Sequence, residues 1–450
     1  MVFIYSASEN SKRLDYIARH IFNNILGTDF AIVTEKETFR QQSGVCINYS
    51  SEELNHGLQI IPHGLLSETG IRTIPDLEES EWQGFFCFFK QTKGDIPFDI
   101  FAASFYLLTL YEEYNSRKLD IHGRFDCKES LAYRKGFLET PLIDRWAYLL
   151  KAELEKLYPA SEFKPREYRF VSTFDIDHPY LYLKKGLVKT TGGTIKDLLK
   201  SDFKNIVSRV AVHLRLKPDP YMQAIQRIDE IHKSADWVYH LFILLGKRGK
   251  FGRSAIYPTH SYYQYLKNLE WVMIGLHPSY DTYLNSRLLI KEKKQLEKIL
   301  GTSVATTRQH FLRMCNPETF QDLSLAGFDE DFTLAFAQAP GFRSGTAIPY
   351  YFYDIEKEAT SGLFLHPTIM MDTTLITHLK LRPEDAFRKI KKLIDECKKS
   401  GGDYVSLWHN SNLAGEKENN PWINVFIDSF QYAISLENDN FVREKNYTHE

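Results

Sequence analysis

The segment RFVSTFDIDHP, residues 169–179, contains the pattern on which the fold and the chemistry of this chain depend. Phe170 to Phe174 form an apolar run typical of a buried strand, and Asp175 and Asp177 follow it two positions apart. Side chains at i and i+2 of an extended chain point to the same side, so the two carboxylates are expected to share one site. Carboxylates that close favour a cation or a proton between them; the alternative is a solvated turn that caps a helix.

Similar apolar runs recur on the C-terminal side of this segment, and longer helical segments such as residues 285–301 and 383–402 separate several of them. Strands that alternate with helices predict parallel strands, in either a barrel or a doubly wound sheet. About seven strands and no GxGxxG turn favour a distorted or incomplete (β/α) barrel. The runs are WVYHLFILLG (237–246), EWVMIGLH (270–277), TSVATTRQH (302–310), FTLAFA (332–337), GLFLHP (362–367) and DYVSLWHN (403–410).

The N-terminal part of the chain has a different pattern. Residues 1–160 combine short strand-like runs with one strongly apolar helix, expected over Phe98–Tyr114. A chain of 450 residues is long enough for two domains, and the segment PASEFKPREY (159–168) has the composition of a linker. We therefore predict a smaller α/β domain of unknown function at 1–160 and the barrel at 166–450, with the boundary near 158–166.

An insertion interrupts the strand and helix alternation at about residues 180–220, directly after the first barrel strand. It contains nine Lys and Arg residues against three Asp in an amphipathic helical pattern. A solvated helical insertion is one interpretation of this pattern. The other is a flap that makes peripheral contact with a membrane of anionic lipid or with a charged glycan carrier.

Composition limits the classes of partner and the compartment. A formal net charge of −2 provides no general field for a polyanion, so nucleic-acid binding is not expected. The five cysteines are scattered without a CxxC spacing, which is typical of reduced cytosolic proteins. The first residues lack the pattern of an export signal, and no apolar run approaches the ~20 residues needed to cross a bilayer. We predict a cytoplasmic protein.

Two further polar residues follow the run WVMIGL. His277 ends this run and Asp281 lies four residues later. If Pro278 begins a helix, His277 and Asp281 lie one turn apart and can face one ion. Imidazole and carboxylate are ligands of first-row metals, although a histidine at a strand end often bonds to the backbone instead.

Two more strand ends have polar side chains suited to catalysis. Arg308 and His310 end the run TSVATTRQH, and an arginine can hold a carboxylate through two parallel hydrogen bonds or form a surface salt bridge. His409 ends the last run next to Trp408, at a position suited to a general acid. Because strand ends meet at one face of a β/α fold, we expect these groups to form one site.

The order of these clusters resembles that of the NodB-homology polysaccharide deacetylases of carbohydrate esterase family four, over about residues 168 to 412. Members of that family remove acetyl from N-acetylated sugars on a distorted barrel. The TFDDG-type motif of the family resembles Thr173–Asp177, its HxxxH-type motif resembles His277–Asp281, and its LxLH-type motif resembles SLWH, which ends at His409. Divergent members with an N-terminal domain occur in bacterial surface-glycan gene clusters.

The resemblance implies a role for each matching residue. Asp175 matches the general base, Arg308 the arginine that orients it, and His409 the general acid. Asp177, His277 and Asp281 match the ligands of a divalent metal. The segments DFTLAF and GFRSGTAIPYYFYD match the family's substrate groove, and we expect substrate contacts from Asp331, Arg343, His310 and Trp408.

The sequence departs from the family pattern at three places. Ile176 separates the two aspartates, Asp281 replaces a histidine, and RQHFL replaces the RxPxG pattern. Two carboxylates and one imidazole are harder ligands than one carboxylate and two imidazoles, so Mn²⁺ or Mg²⁺ competes with Zn²⁺. The function implied is deacetylation of a surface glycan or its precursor. The alternatives are another metal-dependent sugar hydrolase or isomerase, and a non-catalytic glycan-binding or assembly module.

Overall fold

The computed structural model describes residues 1–7, 12–116, 118–183, 198, 203–246, 251–252 and 260–437. The N-terminal region is a small α/β unit with a parallel sheet in the order β2-β1-β3-β4 and an antiparallel pair, β5-β6. Its strands are β1 (Val2–Ser6), β2 (Phe30–Val33), β3 (Val45–Tyr49), β4 (Leu58–Gln59), β5 (Ser80–Trp82) and β6 (Phe85–Cys87).

The C-terminal region is a curled half-barrel of nine strands in the order β12-β13-β11-β10-β9-β8-β7-β15-β14. All neighbouring strands are parallel except the antiparallel edge pair β12-β13. These strands are β7 (Arg169–Ile176), β8 (Tyr239–Leu244), β9 (Val272–His277), β10 (Thr306–Thr307), β11 (Glu330–Asp331), β12 (Tyr350–Asp354), β13 (Ala359–Leu365), β14 (Thr368–Met371) and β15 (Asp403–His409). This architecture confirms the predicted incomplete barrel and the smaller α/β region before it.

Helices connect the strands and cover the sheets. The α-helices of the N-terminal region are Lys12–Ala18, Lys36–Arg40, Ile100–Leu108, Tyr111–Tyr114, Leu131–Arg134 and Leu142–Leu157. Those of the half-barrel region are Phe203–His213, Pro220–Ser234, His260–Lys267, Ser286–Leu300, Glu318–Leu325, Pro383–Ser400 and Pro421–Ser435. None of the described helices is long and apolar enough to cross a membrane.

Side-chain alternation along β7 separates the interior of the half-barrel from the helical layer. Val171 contacts an interior cluster of Phe242, Phe332 and Val405. Phe174, on the other face, packs against Phe426 with the ring centroids 5.6 Å apart. Since Asp175 has the same parity as Val171, the pleat of β7 directs its carboxylate into the half-barrel.

Four elements differ from the sequence prediction, one of which is the edge strand β12, which was absent from the predicted strands. The expected helix Phe98–Tyr114 is divided into Ile100–Leu108 and Tyr111–Tyr114 because Leu110 adopts a left-handed conformation with φ of 55°. The run FTLAFA is a loop, because the carboxylate of Asp331 accepts the backbone N–H of Thr333 at 2.9 Å and turns the chain out of β11. Strand β14 was absent from the predicted set.

The basic insertion is described only in part. Residues 184–197 and 199–202 lie outside the described residues. The prediction of a helical insertion at about 180–220 can therefore be compared with the structure only at the other residues of this interval. Among these residues the helix Phe203–His213 is present. The carboxylate of Asp219 accepts the backbone N–H groups of Leu181, Tyr182 and Leu183 at 2.7, 2.8 and 3.0 Å, and so closes the base of the insertion.

The N-terminal region and the half-barrel share one hydrophobic cluster. Tyr16 packs against Tyr353 with ring centroids 4.7 Å apart, and Phe105 packs against the same ring at 5.5 Å. The helix Leu142–Leu157 ends eleven residues before β7 begins, and its Asp144 accepts hydrogen bonds from Thr346 Oγ1 and the Ala347 N–H at 2.6 and 2.9 Å. The two regions are thus joined by buried contacts as well as by the linker.

Candidate metal and catalytic site

The polar strand ends expected from the sequence meet at the carboxyl edge of the half-barrel. In the parallel register, Asp175 of β7 is paired with His409 of β15, and His277 ends β9 next to β8. Arg308 directly follows β10, which pairs with β9. Neighbouring parallel strands that end at similar heights therefore bring these four side chains to one place.

Asp177, His277 and His310 form the group of described residues that could hold a metal ion, with one ligand atom from each within 4.8 Å of the others. Asp177 Oδ1 lies 3.3 Å from His277 Nε2 and 3.5 Å from His310 Nε2. Asp177 Oδ1 and His277 Nε2 are buried without a hydrogen-bond partner. Buried polar atoms that face each other in this way fit a cation between them.

The backbone fixes which nitrogen of His277 faces the cluster. His277 Nδ1 lies 2.5 Å from the carbonyl oxygen of Arg308, which can only accept a hydrogen bond. The proton is therefore on Nδ1, and Nε2 is directed at Asp177. Burial lowers the pKa of His277, but the carboxylates of Asp175 and Asp177 outweigh burial and raise it. The cluster thus attracts positive charge.

Electrostatics also keep Asp177 ionised. Burial raises the pKa of its carboxyl group, yet His310, His277 and His409 together hold that pKa well below the usual range. An ionised carboxylate is the form of this residue that can bind a metal ion.

Asp281, expected as the third ligand, lies outside this cluster. It is exposed in a single 3-10 turn, Tyr280–Thr282. The helical spacing fails because Ser279 is extended, with φ of −65° and ψ of 160°, and donates its N–H to Glu292 at 2.8 Å. The chain therefore turns away from His277 before a helix can bring Asp281 back.

His310, expected to contact substrate, lies in this cluster with Asp177 and His277. It begins the 3-10 turn His310–Leu312, and its ring centroid is 5.0 Å from that of His277. The TTRQH motif was the available signal, since it places an imidazole two residues beyond Arg308 at a strand end. No familiar spacing of metal ligands relates His310 to His277, so the sequence gave no reason to choose His310 as a ligand.

Asp175 lies beside the metal cluster in a buried ion pair. Its Oδ1 accepts a hydrogen bond from Arg308 Nη1 at 3.0 Å, and its Oδ2 is 3.5 Å from His277 Nε2. Arg308 is fully buried, and it also donates to the carbonyl of Phe332 at 3.0 Å and lies over the ring of Phe242 at 4.6 Å. A guanidinium fixed in this way holds the carboxylate in one orientation.

His409 is paired with an acidic residue that the sequence analysis missed. Its Nδ1 lies 2.7 Å from Oδ1 of the buried Asp372, and its N–H donates to Oδ2 at 2.7 Å. Burial lowers the pKa of His409, but Asp372 outweighs it and raises this pKa to about 10. The signal was the apolar run TIMM followed by Asp372, which resembles a helix cap as much as a strand end.

Three expected substrate contacts have other partners. Trp408 is 1% exposed and packs on Phe426 at 5.4 Å, because its position on β15 faces the helices. Asp331 is buried, its Oδ1 accepts the hydroxyl of Thr333, and burial raises its pKa to about 6. Arg343 donates to both carboxylate oxygens of Glu113 at 2.9 and 2.8 Å. These residues stabilise the walls of the site.

The chain has partial matches to known proteins. Residues 2–159 match a protein family of unknown function, DUF7033. No curated protein matches the chain.

About three fifths of the chain is similar to several solved structures. A protein assigned as a polysaccharide deacetylase from Mycobacterium smegmatis is 14% identical, with a TM-score of 0.39, over 60% of this chain and 85% of that one. An assigned O-antigen polysaccharide deacetylase from Bordetella bronchiseptica is 12% identical, with a TM-score of 0.30, over 60% and 84%. Puue allantoinase is 11% identical, with a TM-score of 0.37, over 59% and 84%. The activity of this chain has to follow from the residues of its own site.

Proposed function

We propose that this chain is a metal-dependent hydrolase that removes acetyl groups from N-acetylated sugars. The observation that supports it most is the position of Asp175, whose Oδ2 lies 3.5 Å from His277 Nε2 while Arg308 holds its Oδ1. A carboxylate fixed next to a possible metal site, with a protonated histidine on the neighbouring strand, is suited to acid–base hydrolysis of an amide.

The cofactor proposed is a divalent ion held by Asp177, His277 and His310. One carboxylate and two imidazoles are borderline ligands, so this set favours Zn²⁺ more than the two carboxylates and one imidazole expected from the sequence. When bound, such an ion supplies Lewis-acid polarisation of a carbonyl group and lowers the pKa of a water toward ~7.

Asp175 and His409 have complementary roles in the proposed reaction. Asp175, held in one orientation by Arg308, accepts a proton from the water that attacks the acetyl carbonyl. His409, protonated at neutral pH because of Asp372, donates a proton to the nitrogen as the C–N bond breaks. The products are acetate and a sugar with a free amine. An N-acetylated surface glycan or its precursor is the substrate implied by the resemblance of the four motifs.

A metal titration of paired variants tests the proposal. We expect the wild-type chain to bind Zn²⁺ with a stoichiometry of one, and His310→Ala to bind it at least about 100-fold more weakly because a ligand is lost. The matched control Asp281→Ala removes an exposed carboxylate and should bind Zn²⁺ like the wild type.

Acetate release from N-acetylated mono- and oligosaccharides, measured with the same proteins, tests the reaction. We expect release by the wild type and by Asp281→Ala and a large loss in His310→Ala. A wild-type chain that binds no divalent ion would contradict the proposal. Release of another product class, with no acetate, would assign the same site to a different sugar hydrolase.

A further inference from the structure

A hairpin of the N-terminal region reaches the metal cluster of the half-barrel. This 118–126 hairpin has an antiparallel bridge between Leu119 and Phe125. The carboxylate of Asp120 accepts the backbone N–H groups of His122 and Arg124 at 2.8 and 3.0 Å, which fixes the turn. The hairpin lies within residues 2–159, the part that matches a family of unknown function.

Arg124 connects this hairpin to the residue that follows a proposed metal ligand. Its side chain is 9% exposed, and its Nε donates to Asp120 Oδ2 at 2.8 Å. Its Nη1 donates a short hydrogen bond to the carbonyl oxygen of Phe311. Phe311 directly follows His310, so the contact acts on the peptide next to the imidazole.

The backbone around Phe311 needs such restraint. Phe311 and Leu312 both have left-handed conformations, with φ of 64° and 50°, which bulky residues rarely adopt. A residue of this kind is energetically unfavourable and persists only where surrounding contacts enforce it. The turn that directs His310 into the cluster is therefore strained and depends on its neighbours.

A second set of contacts joins the hairpin to the other side of the same turn. Arg313 Nε donates to the carbonyl of His122 at 2.6 Å, and its Nη1 donates to the carbonyl of Tyr280 at 2.9 Å. The ring of His122 lies 5.0 Å from that of Phe311. Residues on both sides of the strained turn are thus bound to the hairpin.

We propose that Arg124 is a positioning residue for His310, and that the N-terminal region completes the metal centre of the half-barrel. This inference rests on the proposed function of the Asp177, His277 and His310 cluster. It assigns a role to a region for which no function is otherwise indicated.

Titration with Zn²⁺ or Co²⁺ alone tests this role. We expect Arg124→Ala to weaken Zn²⁺ binding roughly 10- to 100-fold, the usual effect of losing a residue that orients a ligand, and to change the visible spectrum of bound Co²⁺. Arg124→Lys keeps a cationic donor and should recover much of the affinity. Phe311→Gly in the Arg124→Ala background should also recover affinity, because glycine adopts positive φ without restraint.

Arg145→Ala is the matched control. Like Arg124→Ala, it removes a contact between the two regions, here the ion pair of Arg145 with Glu396 at 2.5 Å. Glu396, however, lies on the helix Pro383–Ser400, which leads to the amino end of β15. Arg145→Ala should bind both ions like the wild type. If Arg124→Ala is unfolded, Arg124→Gln provides the measurement. A folded Arg124 variant with wild-type affinity and Co²⁺ spectrum overturns the inference and leaves the proposed function standing, whereas a wild type that binds no ion contradicts both.

A separate observation concerns the helix Phe203–His213, which exposes apolar side chains. Its outward residues Phe203, Val207 and Val210 recur at spacings of four and three, which places them on one face, and the exposed Leu214 and Leu216 follow the end of the helix. Their exposure ranges from 51% for Val210 to 74% for Leu216, just beyond the helix. The stripe consists of Phe203, Val207, Val210, Leu214 and Leu216.

The inward face of this helix contains the polar contacts. Arg209 is buried and lies 4.9 Å above the ring of Tyr182, in the segment that leaves the site after Asp177. Tyr182 also donates a short hydrogen bond to Asn205. The helix is thus fixed to the protein by its polar side and presents its apolar side outward.

Basic residues border the stripe. His213, Arg215 and Lys217 are exposed at its C-terminal end, and the sequence from 180 to 220 has nine Lys and Arg against three Asp. A second copy of the same helix would bring like charges together, whereas an anionic bilayer attracts basic residues. We infer that this stripe docks on an anionic phospholipid surface.

Flotation with vesicles tests the docking of the full chain. We expect binding to vesicles that contain phosphatidylglycerol and not to pure phosphatidylcholine. Val207→Glu with Val210→Glu should reduce this binding at least about tenfold, because charge enters the buried face. Leu325→Glu, at a site 71% exposed on another helix, is the control and should bind like the wild type.

Two kinds of result overturn the docking. One comes from the vesicle assay itself, as binding that the double substitution leaves unchanged or as no binding to either vesicle. The other is a dimer of the wild type in sedimentation that the double substitution converts to monomer without affecting lipid, which would assign the stripe to self-association. The Zn²⁺ affinity of the double variant should equal that of the wild type. A negative result for lipid docking therefore leaves the proposed metal site and function unaffected.

Discussion

Two buried side chains, Arg308 and Asp372, pair with the proposed catalytic residues beside the possible metal site. Arg308 pairs with Asp175 at 3.0 Å, and Asp372 pairs with His409 at 2.7 Å. Removing one partner of a buried pair leaves an uncompensated charge, so such partners act on function through protonation state as well as on stability. Each catalytic candidate can therefore be tested with a shape-conserving substitution.

Asp175→Asn should leave a folded protein with little activity. The amide oxygen can still accept from Arg308 Nη1, while the amide cannot take the proton of the attacking water. We expect acetate release to fall about 10²- to 10⁴-fold with Zn²⁺ still bound. Asp281→Asn, which neutralises an exposed aspartate, is the control, and unchanged turnover in Asp175→Asn would remove Asp175 from the mechanism.

Asp372→Asn should shift the pH dependence of the reaction. Loss of the carboxylate lowers the pKa of His409 from about 10 toward the ordinary value of ~6.5, because Asp372 is the largest of the charges that oppose burial and only Asp177 and Asp175 then remain. We expect kcat/KM of the variant to fall as pH rises above neutrality, whereas the alkaline limit set by His409 in the wild type lies near pH 10. Asn412→Ala, which removes an uncharged donor to Asp372, should keep the wild-type profile.

The same pair should appear in stability measurements. A histidine whose pKa is raised on folding stabilises the protein fully below its unfolded pKa of ~6.5, and this contribution is lost as pH rises through about 10. The free-energy difference between wild type and Asp372→Asn in urea should therefore shrink between these two pH values. A difference that does not change with pH would show that His409 is not charged in the folded wild type.

At the scale of elements, β9 occupies the centre of the nine-stranded sheet and ends in a proposed ligand, His277. Its Gly275 lies against β8 and β10, where an added Cβ would be 2.6 Å from the ring of Phe242 and 2.5 Å from Thr306 Oγ1. Phe242 in turn supports Arg308 at 4.6 Å. The close packing of these strands therefore fixes His277, a proposed metal ligand. It also fixes Arg308, which orients the proposed base Asp175.

Gly275→Ala should disturb this packing. We expect a loss of roughly 1–3 kcal/mol in the free energy of unfolding, because an extra methyl group forces β9 and Phe242 apart. We also expect weaker Zn²⁺ binding, since His277 ends the displaced strand. Gly362→Ala in β13 is the matched control, because nothing lies within 4 Å of its added Cβ. Equal stability of the two variants by chemical denaturation would argue against this account.

At the scale of the whole molecule, buried ion pairs and one apolar cluster join the N-terminal region to the half-barrel. Arg13 forms short contacts with Glu358, and Arg343 is bound to Glu113. Interfaces this buried and hydrophobic behave more like a divided core than like a contact between mobile domains. The division of the chain into domains at residues 1–160 and 166–450 remains a prediction from the sequence. We expect the two parts to unfold together.

Calorimetry of the full chain should show one cooperative unfolding transition. A fragment of residues 166–450 should lack a cooperative transition, because it exposes the surface that the N-terminal region covers. Two separated transitions of the full chain, or a stably folded fragment that binds Zn²⁺, would contradict this expectation and would also remove the need for Arg124 at the metal centre.

The sequence by itself determined the strand ends and the residues at them. Apolar runs followed by Asp175, Asp177, His277, Arg308 and His409 are local patterns, and parallel strands bring such ends together whatever the loops do. The tertiary structure decided the partners. His310 replaces Asp281 because Ser279 is extended and Phe311 is left-handed, and Asp372 faces His409 because β14 lies beside β15. Backbone conformation in loops and the order of strands depend on distant contacts, which spacing along the chain does not encode.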